Sequence, residues 1–541
     1  MSQPGRVLVL EDIEQWRQVV SKALAGKGVV VDTAATAEQA YTLLAQNSYE
    51  LLVLDISLVP GDIHDVGGLA FIERLRSEGR ASGLQVIVLS DGNVISIARD
   101  AFVKYGAVDY WPKTEFDSDQ FAQRVSSILS TRTKIDVNPI NPDLVIRWQG
   151  VDDARAACLN LRIDGARRKI GDPVLDRAGG ELESVLSRLF ATAETILVEP
   201  MTRGKGGSGI LRVQPFLATG AGLSAVVKFG DAKIVAREEQ NFKRYVRPFL
   251  GGARSTSLDD AERRNLIGAI RYSLLGTMGE KFEDFGDFYA KHNVTAVCET
   301  LDNLFLKTCG PWYGNAGVLK LRDLGDEYRS LLGLSPDSLE EPLKRGLKAV
   351  QGKDELHFEA LTSRRTFANP VPRLAARNFL RPTYACITHG DLNAENIFVD
   401  EAGSTWLIDF ANTGPGHILR DFALLDVSIR VLLLAAGEAK LDERLALEEE
   451  LLSRKRLGEF DMLSGRLATG NAALAKAHAA VVHLRHLAAE QVRRNPANDI
   501  DEYWIALLFY SLRLIRFWDL ATVQREHALL SAALLAERLG S

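Results

Sequence analysis

RVLVLED at residues 6–12 and LLVLD at 51–55 are two short apolar runs that each end on acid. They are too short for a buried helix and too continuous for a half-exposed strand, so they read as strands buried on both faces of a sheet. VVVDT (29–33), QVIVLS (85–90) and AVDYW (107–111) are of the same kind, and amphipathic stretches such as AEQAYTLLAQ (37–46) and GGLAFIERLRS (67–77) lie between them. Strand alternating with helix predicts a doubly wound parallel sheet, an α/β domain with helices on both faces. Ligands of such sheets collect beyond the carboxyl ends of the strands. Glu11 and Asp12 end the first strand and Asp55 the third, so three carboxylates converge there. Crowded carboxylates repel one another and call for a cation, and hard oxygen donors suit Mg²⁺. Ser90 closes the fourth strand and Lys113 follows the fifth, adding a hydroxyl and an ammonium. These groups are what an acyl phosphate on Asp55 needs for stabilisation.

Residues 1–132 resemble a response-regulator receiver domain, which has a flavodoxin-like fold. The resemblance implies that Glu11, Asp12 and Asp55 hold Mg²⁺ and that Asp55 is the phosphoacceptor. It makes Ser90 the switch hydroxyl, Tyr110 the switch aromatic and Lys113 the lysine of the pocket, and it implies a cognate sensor histidine kinase as partner. Two departures touch the rim of the pocket. The loop SLVPGDIHDVGG (57–68) is longer than is usual in that family, and Thr114 stands where the family commonly has proline.

DVNPINPD (136–143) carries two prolines and no periodicity and reads as a linker. Residues 133–180 are accordingly expected to be linker and connecting helix. The strand-like pieces TILVEP (195–200) and GILRVQPF (209–216) flank TRGKGGS (202–208), and LSAVVKF (223–229) precedes a helix-like AREEQNFKRYV (236–246). From about residue 258 onward the pattern reads as mostly helical. A small β-rich lobe over 181–280 and a large helical lobe over 281–541 are therefore expected, an α+β arrangement. Gly204, Gly206, Gly207 and Gly209 lie between two strands, where backbone amides approach phosphates closely. Lys228 sits among apolar residues mid-strand, a costly place for a charge without an anionic partner. Glu238 shares a helical face with Phe242 and Tyr245 and is one candidate partner; Glu239 is the other.

HGDLNAEN (389–396) puts Asp391 and Asn396 on one loop, and Asp409 follows after a hairpin readable as IFV, a turn at DEAGS, and WLI. Phosphoryl transfer asks the protein mainly for positioning and charge compensation. Asp391 is placed to orient an acceptor hydroxyl, and Asn396 and Asp409 offer oxygens to Mg²⁺ on nucleotide phosphates; His389 is expected to pack within the loop. Residues 181–541 resemble the aminoglycoside phosphotransferase/choline kinase branch of the protein-kinase-like fold, a bilobal domain. HGDLNAEN and LIDF (407–410) match its catalytic and metal loops, and RDFALLD (420–426) its later segment, with Asp421 a prop of the catalytic loop. The resemblance implies Lys228, Glu238 and Asp391 as catalytic residues, the four glycines and Lys228 as nucleotide-binding, and ATP or GTP as donor. More weakly, the combination is similar to kinase-like domains of bacterial signalling and conflict systems.

Bulk properties narrow the classes. The 541 residues are too many for one core. A net charge of −6 carries no basic excess, and no basic helix-turn-helix pattern follows residue 130, so a nucleic-acid partner is not expected. The scattered Cys158, Cys298, Cys309 and Cys386 show no CxxC and suit a reducing compartment. The apolar runs are too short to span a bilayer, and a cytoplasmic protein is expected. The leading reading is a two-component signalling protein in which a phosphorylated receiver governs an ATP-dependent phosphotransferase acting on a hydroxyl of a small molecule or protein. The alternative is a nucleotide-binding scaffold that reports receiver state to partner proteins without turnover.

Overall fold

The computed structural model describes residues 5–25, 29–47, 49–59, 65–77, 84–90, 107–132, 141–201, 207–249, 256–274, 282–344, 347, 354–372, 379–459, 469–495 and 500–540. The chain forms two compact units, residues 1–281 with 406–411, and residues 282–405 with 412–541. Most of the expected linker (136–140), Gly204, Gly206 and the stretch 91–106 lie outside the described residues.

The first unit opens with the expected parallel sheet. Its strands are β1 (Gly5–Leu10), β2 (Val29–Ala34), β3 (Leu51–Asp55), β4 (Gln85–Ser90) and β5 (Asp109–Pro112), in the order β2-β1-β3-β4-β5. The two-residue alternation of a strand sorts the apolar residues into two cores. Leu8, Leu10, Leu52, Leu54, Val86 and Val88 pack on one face, and Val7, Val9, Leu51, Val53, Ile87 and Leu89 on the other. Leu10 is in register with Leu54, Asp55 with Leu89, and Ser90 with Pro112, so the polar residues ending each strand gather at one edge.

The same unit continues into a second, largely antiparallel sheet. Its main path is β10 (Thr256–Arg263), β11 (Ile267–Leu274), β9 (Ala225–Asp231), β8 (Gly209–Leu217), β7 (Thr195–Pro200) and β6 (Val145–Trp148), with the short Gly220–Ala221 strand beside β8. Two expectations need correction here. Residues 141–180 are not mere connection: β6 pairs in parallel with β7, and Ala154, Cys158, Leu161, Ile163, Leu175 and Ala178 are buried in this sheet's core. The amphipathic helix begins at Pro173, capped by Asp172, and its Leu175, Leu182, Val185, Leu186 and Leu189 all face that core. Nor is the chain helical from residue 258, because Thr256–Arg263 and Ile267–Leu274 form an antiparallel hairpin with a bulge between Leu258 and Asp260. The bulge breaks the two-residue alternation in LDDAERR, and that is why the segment resembles a helix in sequence.

The second unit is mostly helical. Its longest helices are Ala472–Val492, Thr522–Gly540 and Asp501–Leu514. The last of these is buried from Glu502 to Leu512 on every side, as a helix in the middle of a helical core must be. Several charges inside this core are paired: Arg430 joins Asp426 at 2.5 Å and also Glu448, Arg485 joins Asp426 at 2.7 Å, and His527 meets Glu448 at 2.8 Å. Among the described residues no helix is long and apolar enough to cross a membrane.

The reassignment of residues 141–180 has a direct consequence. Leu175 is 1% exposed in the lobe core. Leu175→Ala should cost about 2–5 kcal/mol in denaturant unfolding of the full chain, the usual penalty for a leucine cavity. A cost near zero would return the segment to a connecting role.

Candidate functional site

The sequence-predicted site residues fall into three clusters of polar side chains. The first lies at the carboxyl edge of the parallel sheet. Carboxylate oxygens of Glu11, Asp12 and Asp55 all fall within 4.8 Å of one another. Lys113, just past β5, reaches back so that its Nζ lies 2.7 Å from Asp55 Oδ2 and 3.0 Å from Glu11 Oε1. The Lys113 ammonium also stands 5.5 Å from the centre of the Trp16 ring. Burial pulls the Lys113 pKa down, but Asp55 and Glu11 outweigh it and leave it above the ordinary lysine value. Glu11 behaves differently: burial first, and then the charge of Asp55, push its carboxyl up to about 8 against the pull of Lys113. Glu11 Oε2 is also 2.9 Å from the Lys113 ammonium, so both oxygens of this buried carboxylate share one cation. Three acidic groups with oxygens within 4.8 Å of one another, against a single ammonium, fit a hard divalent cation. Ser90 and Tyr110, at the end of β4 and in β5, are both buried. Beyond Asp55, the Asp65 carboxylate fastens the long loop by accepting from Leu58 N at 2.6 Å and Gly67 N at 3.1 Å.

The second cluster is centred on Lys228. Strand β9 is buried along its whole length, and alternation turns Ala225, Val227 and Phe229 into the lobe core and Lys228 to the opposite face. There Lys228 Nζ lies 2.5 Å from Glu238 Oε2 and 2.6 Å from Asp409 Oδ1. Of the two candidate glutamates, Glu238 is the partner; Glu239 instead pairs with Lys243 and Arg263. Glu238 Oε1 also accepts from the Tyr272 hydroxyl at 2.6 Å and from the Phe410 amide at 3.0 Å. Burial pushes the Glu238 carboxyl above its ordinary range, and the Lys228 charge with these donors works against it. Burial likewise lowers the Lys228 pKa, while Asp409 and Glu238 more than restore it, so the ammonium stays charged. Asp409 adopts φ +68°, a left-handed conformation that aspartate tolerates better than most residues. The segment carrying it is tied to the helix Ala232–Asn241 by Asn241 Nδ2, which donates to the carbonyls of Phe410 and Ala411 at 3.0 and 2.9 Å.

The glycine-rich stretch is only partly described. Gly207 has φ +87°, and its carbonyl accepts from Arg162 N at 2.8 Å. Gly209 faces Phe229 across the sheet, where a Cβ would lie 2.3 Å from the ring. The left-handed backbone favours glycine at 207 and the Phe229 ring leaves no room for a side chain at 209.

The third cluster, the loop around residue 391, belongs to the second unit. Asp421, fully buried, accepts from His389 N at 2.7 Å, Gly390 N at 2.9 Å and the Tyr313 hydroxyl at 3.1 Å. Gly390 has φ +86°, and a Cβ there would lie 2.2 Å from the Asn412 carbonyl, so the turn admits only glycine. His389 is buried, with its carbonyl accepting from the Thr413 hydroxyl at 3.0 Å. Asn396 Nδ2 donates to the Asp391 carbonyl at 2.8 Å, and Asp391 Oδ1 pairs with Arg513 Nη1 at 3.1 Å. The turn after Asn396 is closed by Asp400, whose Oδ1 accepts from the amides of Ala402 and Ser404.

The structure thus gathers Glu11, Asp12, Asp55 and Lys113 in one place and Lys228, Glu238 and Asp409 in another. Sequence reasoning missed Tyr272, because its strand reads as helix. It also missed Arg513, a single arginine in a helix far along the chain, which has no local signal. Asn241 was missed as well, although its position three residues after Glu238 was a usable clue.

A family model described as Ternary complex associated domain 9 matches residues 193–364 and 357–516, together more than half of the chain. The chain belongs to the ternary complex associated domain 9 family. Residues 7–126 of this family member match the response regulator receiver domain. "Response regulator MprA" of Mycobacterium sp. (strain KMS) is 28% identical over 197 residues, 36% of this chain and 74% of that protein. "Probable transcriptional regulatory protein SilR" of Salmonella typhimurium is 32% identical over 148 residues, 26% of this chain and 61% of that protein. Among solved structures, the receiver domain of Francisella response regulator 1452 is 25% identical and aligns over 24% of this chain and 99% of its own, at a TM-score of 0.21. A response regulator from Thermotoga maritima is 28% identical over 23% of this chain and 98% of its own, also at 0.21. The N-terminal domain of this ternary complex associated domain 9 protein is a response regulator receiver. The protein therefore takes part in two-component signalling, which pairs such a receiver with a sensor histidine kinase.

The Glu11 carboxyl gives this receiver a pH signature. Between its ordinary 4.5 and about 8, the folded metal-free protein holds a proton that the unfolded chain has lost. Stability from this group is therefore present at low pH and declines as pH rises through that window. A divalent cation competes with the same proton. Mg²⁺ should raise the melting temperature more at about pH 8.5 than at about pH 6, and its binding near neutrality should release protons. Calorimetric titration in buffers of different ionisation enthalpy measures that release, and Glu11→Gln should remove it.

Proposed function

We propose that a receiver phosphorylated on Asp55 governs an ATP-dependent phosphotransferase formed by the remainder of the chain, which moves the γ-phosphoryl of ATP or GTP to a hydroxyl of a small molecule or protein. The observation that supports this reading best is Lys228. A buried ammonium held between Glu238 on a helix and Asp409 on a strained turn is an expensive arrangement for stability alone, since well-packed apolar residues serve a core as well or better. It is a useful one for polyphosphate, because the lysine can exchange a carboxylate for a phosphate oxygen while Glu238 keeps it in place.

In this reading Lys228 orients the donor phosphates, and Asp409 and Asn396 would hold a Mg²⁺ that would supply charge compensation on the phosphates. Asp391 orients the acceptor hydroxyl and takes its proton as the new oxygen–phosphorus bond forms. The bond from the γ-phosphorus to the bridging oxygen breaks, and ADP leaves with that electron pair. On the receiver, Glu11, Asp12 and Asp55 would hold Mg²⁺, and the acyl phosphate forms on Asp55 beside Lys113.

One observation favours the alternative, a nucleotide-binding scaffold without turnover. The acceptor-side carboxylate of Asp391 is already engaged by Arg513 at 3.1 Å. Single-turnover transfer from labelled ATP into small-molecule and protein pools separates the two readings, since a scaffold binds nucleotide and transfers nothing.

Nucleotide binding itself is tested by melting. Mg²⁺-ATP at about a hundred times its dissociation constant should stabilise the folded protein by about 2.7 kcal/mol. Asp409→Asn and Lys228→Ala should each weaken that shift. Lys228→Ala also strips Glu238 of its partner, a loss of about 3–5 kcal/mol, so its shift is read against its own ligand-free melt. Asp391→Asn should keep the shift and lower turnover by about 10²–10⁴-fold. Equal loss of the shift in all three variants would contradict the assigned roles.

A further inference from the structure

The Lys113 and Lys228 clusters belong to the same compact unit, and two hydrogen-bonded paths run between them. The first starts on the receiver helix Ser118–Arg132. Arg124 Nε donates to Asp109 Oδ2 at 2.5 Å, at the start of β5, and Arg124 Nη1 donates to Ser257 Oγ at 2.7 Å, on β10 of the second sheet. Next to Ser257, Thr256 Oγ1 accepts from the Leu407 amide at 3.2 Å, two residues before Asp409. The second path starts one residue before β5, where the Val108 carbonyl accepts from Arg247 Nε at 2.9 Å. Arg247 directly follows the π-turn Phe242–Val246 that continues the Glu238 helix, and its amide bonds back to Phe242 O at 2.9 Å.

The charges at this junction are unusual for a passive contact. The buried Arg124 and the half-buried Arg247 lie near enough for their charges to interact. Burial and the Arg124 charge pull Arg247 down to about 10. Arg124 pays for its own burial with Asp109 from the receiver and Asp259 from β10, which hold its pKa above the ordinary value. Asp109 and Lys113 stand at opposite ends of the same short strand, so a displacement of β5 at the Asp55 pocket is delivered to Arg124 and Arg247 together.

We infer that this two-arginine clasp is an intramolecular docking surface, on which the β5 face of the receiver binds its own chain's antiparallel sheet and sets the positions of Glu238 and Asp409 around Lys228. Modification of Asp55 exchanges its carboxylate oxygen on Lys113 for an atom of the added group, which lies further out, and so shifts Lys113 and β5. Arg247 passes the shift to the Glu238 helix, and Arg124, through Ser257 and Thr256, passes it to the Asp409 segment. The inference deepens the proposed function by naming its regulation, but the coupling needs no nucleotide.

Hydrogen exchange on the full chain, with and without beryllofluoride and Mg²⁺, tests it. In the wild type, peptides covering 232–249, 256–263 and 405–411 should change exchange rate by about fivefold or more, the lower end of ordinary allosteric coupling. Arg247→Gln and Arg124→Ala should keep the response around β3 and β4 and lose it in those three peptides. Ser257→Ala, which removes an acceptor and leaves every charge in place, should reduce the response at 405–411 and spare the fold. A wild-type response confined to residues 5–132, or undiminished transmission in Arg247→Gln and Ser257→Ala, overturns the inference. Failure of ATP to bind would count against the proposed function alone, because these exchange measurements contain no nucleotide.

Discussion

The ammonium of Lys228, shared by Glu238 and Asp409, is the contact around which the second half of the first unit is organised. A charge on a fully buried strand is tolerable only when it is compensated on the spot. That requirement fixes several elements at once. The helix after β9 must turn Glu238 inward. The Tyr272 hydroxyl must come from the neighbouring strand β11, and residues 406–411 must return from far along the chain to bring Asp409 and the Phe410 amide. Remove the lysine and three groups are left facing an uncompensated buried carboxylate.

The receiver solves the same problem with the same device. Lys113 is buried between Asp55 and Glu11 as Lys228 is between Asp409 and Glu238. In each case one carboxylate is deeply buried and pushed up by desolvation. The other lies at a strand end or turn, where a cation or a phosphoryl group can reach it. A lysine shared by two carboxylates is sensitive to a change in either one, since both compensate its charge. That shared sensitivity gives the two centres, joined by the clasp at Arg124 and Arg247, a common physical language.

How much of this was legible in the sequence follows from how local each signal is. The parallel sheet was readable because RVLVL, LLVLD and QVIVLS are buried on both faces and a polar residue, Glu11, Asp55 or Ser90, closes each strand at the edge. Lys228 stood out because charge in an apolar strand demands a partner, and Glu238 lay on the inward face of the next helix. The β10–β11 hairpin was not readable, since a bulge at Leu258–Asp260 spoils its alternation, and Tyr272 was lost with it. Residues 141–180 looked like a connection because their apolar runs are short and set among turns, a four-residue helix and a two-residue strand pair. The contacts of Arg124 with Ser257 and of Arg513 with Asp391 join residues more than a hundred positions apart and leave no trace in local pattern.

The central claim is that Lys228 is a polyphosphate ligand held ready by two carboxylates. Affinity labelling with an acyl-phosphate derivative of ATP, followed by peptide mapping, tests it most directly. The probe transfers its acyl group to an amine that lies against the nucleotide phosphates. Acylation at Lys228, suppressed by excess Mg²⁺-ATP and weakened in Asp409→Asn, is the predicted result. Labelling spread over exposed lysines with Lys228 unmodified, or modification of Lys228 that excess nucleotide does not suppress, would contradict the account.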